Sequence, residues 1–192
     1  MANLATTEFT AHQTSIPGLL FFDVTQVDDA RGFFQEKYQK AKLVAGGMPE
    51  SFNVVQNSLS YNKQAGVTRG FHAEPWDKYI SVVKGKVFGA WVDLRKGETF
   101  GNVETYEINP NTAVFLPKGV ANAFQTLEPD TYYLYSVNAH WSADNYEKYC
   151  FVNLKESSFG IKWPINLDTA IINDRDTQHP LLKDVSPMEV EV

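Results

Sequence analysis

Lys78-Tyr79-Ile80-Ser81-Val82-Val83-Lys84-Gly85-Lys86-Val87-Phe88-Gly89-Ala90-Trp91-Val92-Asp93-Leu94 reads as two β-strands separated by a turn. Residues 78–83 and 86–94 are rich in β-branched and aromatic side chains, and Lys84-Gly85 supplies the breaker. The same unit recurs outward in both directions: 18–27, 51–61, 66–72, 103–108, 112–116, 121–126, 131–138 and 149–154 are short β-rich runs. Between them stand Lys96-Gly97, Asn109-Pro110-Asn111, Pro117-Lys118-Gly119 and Glu128-Pro129-Asp130. Many short strands with regular breakers predict an antiparallel sandwich or barrel. Helices are few: residues 36–43, ended by Gly46-Gly47, and a turn over 143–148 after an N-cap at Ser142.

With 192 residues, 43% apolar and 14% aromatic, the chain is long enough to bury a sizeable core, and a single domain is expected over 1–192. An N-terminal arm of about residues 1–16 precedes it, and a tail from about Trp163 to Val192, poor in strand signals, is expected to wrap the barrel. The net charge of −6 and the lack of a basic run exclude a nucleic-acid face. A few local cations suffice for a small anionic ligand. Cys150 is the only cysteine, which rules out an internal disulfide and points to a reducing compartment. No signal-like segment or bilayer-length apolar stretch is present, so a cytoplasmic protein without a membrane partner is expected.

Chemistry concentrates just before the opening stretch, in Gly66-Val67-Thr68-Arg69-Gly70-Phe71-His72-Ala73-Glu74-Pro75-Trp76-Asp77-Lys78. A fixed cation, a group that titrates near neutrality and a mobile ammonium suit a site that holds an anion and moves a proton. Arg69 and His72 are an odd number of residues apart and would face opposite ways on a regular strand. A bulge at Gly70 would aim both inward. Lys78 shares a face with Ile80 and Val82, and Tyr133, Tyr135 and Val137 share another, which presents two phenols. An imidazole base, a phenol acid and a cation together fit removal of a proton next to a carbonyl, with return from the opposite face. Taken singly, each residue also has a structural reading: a surface histidine, a core tyrosine, a strand-edge lysine, a turn arginine at Arg31. Their conjunction carries the argument.

These motifs closely resemble the dTDP-4-dehydrorhamnose 3,5-epimerase family, non-metal enzymes of the cupin class. The resemblance rests on Asp29–Glu36, Val67–His72 with Lys78, Val92-Asp93-Leu94-Arg95 followed by Thr99-Phe100-Gly101, the block 115–124, Leu134-Tyr135, and Gly160-Ile161-Lys162-Trp163-Pro164. It implies an all-β, cupin-type jelly roll with a few short peripheral helices, acting on a dTDP-4-keto-6-deoxyhexose as a homodimer. His72 would be the base, Asp176 its dyad partner, Tyr135 the opposite-face acid, and Lys78 the group beside the enolate. Arg69 and Arg31 would hold the diphosphate. Gln56, Asn57, Phe33, Glu36 and Trp141 would lie near the nucleotide, with 31–36 acting across the dimer interface. Asn122 stands where the family usually has histidine, and Trp141 where a tyrosine is common. The resemblance implies no cofactor. With histidines only at 12, 72, 140 and 179, no catalytic metal is expected. A single-carbon epimerase or ketoisomerase, a non-catalytic sugar-nucleotide-binding jelly roll, and a metal-dependent cupin are the alternatives. Whether Asp174 or Asp176 meets His72 stays open.

Overall fold

The central strands here are buried on both faces, because two antiparallel sheets pack together and each also has its outer side covered. In the computed structural model, which describes residues 8–190, the first sheet runs β1 (Phe9–Gln13), β2 (Leu20–Val24), β10 (Thr112–Leu116), β7 (Lys78–Lys84), β12 (Thr131–Val137) and β5 (Gln56–Asn62). The second runs β13 (Cys150–Phe151), β6 (Val67–Ala73), β11 (Val120–Thr126), β8 (Val87–Asp93) and β9 (Val103–Ile108), with β14 (Ile171–Ile172) added in parallel to β6. A separate hairpin joins β3 (Val27–Asp29) to β4 (Gly32–Phe34). The result is the expected antiparallel jelly-roll sandwich. Among the described residues no helix is long and apolar enough to cross a membrane.

Between the sheets lie Phe21, Ile80, Val82, Trp91, Val114, Phe124 and Tyr133. A second apolar layer, Phe22, Tyr79 and Phe115 under Leu43, Met48 and Phe52, covers the outside of the first sheet. Each of those three covering side chains is fully buried and contributes about 1.5–3 kcal/mol. Their platform is α1 (Lys40–Ala45), which begins later than residue 36 because the Gln39 side chain caps it, accepting from the Lys42 N–H at 2.9 Å. Lys37 is held outside the helix by the carbonyls of Val82 and Pro110. The tail covers the second sheet: Trp163, Leu167, Ile172, Leu182 and Met188 pack on the layer of Phe71, Val92 and Leu154. The expected N-terminal arm is in part strand β1, paired with β2 from Phe9 to Gln13, and its first seven residues lie outside those described. A short helix α2 (Ala143–Tyr146) follows the predicted cap, with Ser142 Oγ accepting from Asn145 N–H at 3.1 Å.

The bulge demanded by alternation is present. His72 pairs with Asn122 and Arg69 with Phe124, so Gly70 and Phe71 together oppose Ala123. Gly70 sits at φ +123°, and a Cβ there would meet the Ala123 Cβ at 2.5 Å and the Asn122 carbonyl oxygen at 2.6 Å. Only glycine fits both the backbone and the space. Arg69 and His72 consequently open onto one cavity. Gly70→Ala is expected to cost about 3 kcal/mol, from the disfavoured backbone and the overpacking against β11. Calorimetry should show a melting temperature about 6–12 °C lower for a chain of this size. An unchanged melting temperature would refute this account of the bulge.

Candidate active site

The centre of the site is a carboxylate with two backbone-fixed tasks. Asp176 lies in a 3-10 turn (Asp174–Thr177) capped by Asn173, whose side chain accepts from the Arg175 N–H. Its Oδ2 accepts from the Gly70 N–H at 3.2 Å, and its Oδ1 accepts from His72 Nε2 at 3.0 Å. Asp174, the sequence alternative, is exposed in the same turn. Burial by itself would raise the Asp176 carboxyl, but the hydrogen bond and charge of His72, with the Gly70 N–H, outweigh it and hold the carboxyl below the usual carboxylate range. Asp176 therefore stays anionic, keeps the His72 proton on Nε2 and leaves Nδ1 with a free lone pair.

Across from His72, β12 presents the two phenols that alternation predicted. Tyr133 is fully buried, stacked on Phe124 at 4.1 Å, and donates to Asn122 Oδ1 at 3.3 Å. Its burial pushes the phenol far above its ordinary value, so it remains neutral and structural. Tyr135 is only partly buried and faces the open space. Lys78 points inward from β7, nearly inaccessible, with its Nζ 5.1 Å from the centre of the Tyr135 ring and 2.5 Å from Glu74 Oε2. Arg69, His72, Lys78, Asn122 and Tyr135 thus line one cavity of about 220 Å³. Arg69 Nε donates to Asn62 Oδ1 at 3.2 Å, which fixes the guanidinium at its rim.

A second cavity of about 380 Å³ shares Glu74 and Tyr135 with the first and is walled by Trp76, Trp141 and Tyr149. Trp141 is 57% exposed and anchored by its backbone N–H, which donates to Gln56 Oε1 at 3.0 Å. Burial, then the charge of Glu74 and the neighbouring phenol of Tyr135, raise the Tyr149 phenol. A third cavity, about 280 Å³, lies on the other side of His72 and has Arg69 and Arg175 in its lining. Two guanidiniums, an aromatic wall and a proton-transfer pair are therefore contiguous. The largest cavity described, about 630 Å³, is walled by residues between Leu154 and Leu167 and contains none of these groups.

Four sequence candidates lie elsewhere. Asn57 is on the outer face of β5, where its Oδ1 accepts from the Ser136 hydroxyl at 2.5 Å; Ser58, next in the strand, lines the cavity in its place. Arg31 and Phe33 sit on the β3–β4 hairpin, with the Arg31 side chain 90% exposed and bonded to Asp29. Glu36, just beyond it, pairs with Lys42. None of these four lines the cavities around His72. Sequence reading passed over Arg175, Trp76 and Tyr149. Arg175 directly precedes the dyad acid and Trp76 lies inside the quoted motif, so adjacency was a usable signal; nothing local marks Tyr149.

Residues 13–184 match the profile of the family described as dTDP-4-dehydrorhamnose 3,5-epimerase. The chain is 51% identical to a protein named RmlC homolog from Streptococcus pyogenes serotype M6, over 91% of this chain and 89% of that one. It is 31% identical to the dTDP-4-dehydrorhamnose 3,5-epimerase of Pseudomonas aeruginosa, covering 88% of this chain and 93% of the relative. Its structure superposes on that of RmlC from Streptococcus suis in complex with dTDP-D-xylose with a TM-score of 0.89 and 47% identity, over 94% and 95% of the two chains. Sequence profile, relatives and fold agree, and the chain belongs to the dTDP-4-dehydrorhamnose 3,5-epimerase family.

Proposed function

We propose that this chain converts dTDP-4-dehydro-6-deoxy-D-glucose to dTDP-4-dehydro-L-rhamnose by inverting C3 and C5. The observation that carries the reading is one cavity with His72, backed by buried Asp176, on one wall and Tyr135 with Lys78 on the other. His72 Nδ1 takes a proton from the carbon next to the C4 ketone, and the C–H electron pair moves onto the ketone oxygen as an enolate. The imidazolium so formed is stabilised by Asp176, to which its Nε2 already donates. The Lys78 ammonium faces the enolate oxygen, held in place by Glu74. Tyr135 then donates its phenolic proton from the opposite face and the ketone re-forms with the carbon inverted. Both C3 and C5 flank C4, so one set of groups serves each in turn. The substrate's own ketone is the electron sink, and the steps call for no added cofactor.

The cavity lined by Trp76, Trp141 and Tyr149 suits a stacked nucleobase, with Gln56 and Ser58 on its polar edge. Arg69, which lines both the sugar cavity and the one beyond His72, is the cation within reach of a diphosphate. Arg31, Phe33 and Glu36 complete a nucleotide site only if offered to a second copy of the chain, and Phe33 and Phe34, 59% and 65% exposed on the hairpin, support a homodimer in which they are. The enzyme works in the cytoplasm on this reading, where its sugar-nucleotide substrate is made.

Incubation with the dTDP-4-keto sugar in deuterated water should place deuterium at both C3 and C5 by NMR. His72→Ala should abolish both exchanges, and exchange at the parent rate would remove His72 from the base role. Deuterium at one carbon alone would reassign the chain as a single-centre epimerase. Tyr135→Phe should keep exchange while inversion falls by about 10²–10⁴-fold, and normal inversion would contradict the acid assignment. Asp176→Asn should lower kcat by at least about 10²-fold with KM little changed, because the amide no longer fixes the tautomer; a KM effect alone would count against the dyad.

A further inference from the structure

Asp176 faces a second imidazole that the proton chemistry does not use. His179 Nε2 is 3.9 Å from Asp176 Oδ1, is buried, and has no hydrogen-bond partner. A ring nitrogen of His72, a carboxylate oxygen of Asp176 and a ring nitrogen of His179 lie within 4.8 Å of one another. We infer that these three atoms form a binding site for a borderline divalent transition ion such as Zn2+ or Co2+, and that its occupancy arrests the His72 base. The inhibitory half rests on the function proposed above; the site itself does not.

Two imidazoles and one carboxylate are the donors such ions favour over the hard ions Mg2+ and Ca2+. Metal–ligand bonds of about 2.0–2.2 Å require donor separations of about 3.3 Å in a tetrahedral site. The His72–Asp176 pair, at 3.0 Å, is already close to this. His179 has to draw in by about an ångström, its unpartnered nitrogen giving up no hydrogen bond, and the His72 ring has to turn so that Nε2, now aimed at Asp176 Oδ1, meets the ion. The rest is built. Asn153 Nδ2 donates to the carbonyls of Thr177 and His179 at 2.7 and 3.1 Å, and the Leu154 N–H donates to that of Asp176 at 2.9 Å, so the segment carrying two ligands is clamped. Gly70 N–H holds the free oxygen of Asp176. Phe151 stacks on His179 at 4.5 Å and meets His72 edge-on at 5.3 Å, an apolar wall behind both rings. Arg69 and Arg175 border the adjoining cavity and oppose a cation, which selects for ions that bind imidazole strongly.

Arrest follows from the tautomer. An imidazole that ligates through Nε2 carries its one remaining proton on Nδ1, the nitrogen that would otherwise accept the substrate's proton. The ion also displaces the hydrogen bond between His72 and Asp176 on which imidazolium stability depends.

The test uses the tag-free full chain, with CoCl2 and ZnCl2 as probes. One equivalent of Co2+ should produce the visible absorption of low-coordinate cobalt, and a zinc-soaked crystal should show an anomalous peak among the three donor atoms. Zn2+ should stop deuterium exchange reversibly, with EDTA restoring it. His179→Gln, which keeps size and polarity, should need about 10–100-fold more Zn2+ for the same occupancy. His12→Ala, which removes the exposed His12–Asp23 pair, should leave the cobalt spectrum unchanged. Absence of both the cobalt band and the anomalous peak, or equal zinc affinity in His179→Gln, would overturn the site. Binding at the three donors with exchange undisturbed would overturn the arrest and the base role of His72 while the site stood.

Discussion

The carboxylate of Asp176 joins the two halves of this structure. One oxygen receives the N–H of Gly70 at the bulge, the other receives His72, and the backbone of the same residue accepts from Leu154. Charge-assisted hydrogen bonds of this kind contribute about 1.5–3 kcal/mol each. Without them the tail would be tied to β6 only through the short β14 pairing, and nothing would fix the tautomer of His72. Because the folded carboxyl is held below its unfolded value, this contribution is fully present above the ordinary carboxylate range and is lost as pH falls through the depressed value. Catalytic geometry and attachment of the tail therefore weaken together in acid.

The sandwich makes such a tie possible by covering both sheets on the outside. An antiparallel sheet with one wet face would show clean alternation, but β7 is buried at five consecutive positions from Lys78 to Val82 and β10 at all five of its residues. Lys78 is buried there without a stranded charge, since Glu74 meets it across the cavity floor. A charged pair inside an apolar wall is costly unless it does something, and its place beside Tyr135 is where developing negative charge would need it.

Strand positions were legible because β-branched and aromatic runs end at Gly, Pro and Asn, and β9 and β10 fall at the boundaries that composition suggests. Strand β1 was not, since Phe-Thr-Ala-His-Gln offers only Phe9 and Ala11 as an apolar face, too short a pattern to mark a strand before β2 supplies the edge it pairs with. The β3–β4 hairpin was likewise read as a turn cation among aromatics, as its six paired residues bury almost nothing. Within the site, Gly70, His72, Lys78 and Tyr135 followed from alternation plus one bulge. Ser58 in place of Asn57 is the same rule applied one residue further: side chains two apart share a face, and Gln56 already held it. Arg175 and His179 could not be read from strand logic, because they come from a tail whose path is set by Trp163, Leu167 and Ile172 packing on the far sheet.

That dependence on the tail gives the molecule an order of events. Ribosomal synthesis produces every strand from β1 to β13, and with them His72, Lys78 and Tyr135, before it produces Asp176. A nascent barrel can thus close its core and shape the cavity between its sheets before the last carboxylate exists, and on the proposed roles of these groups competence arrives late, when that carboxylate docks against the glycine bulge.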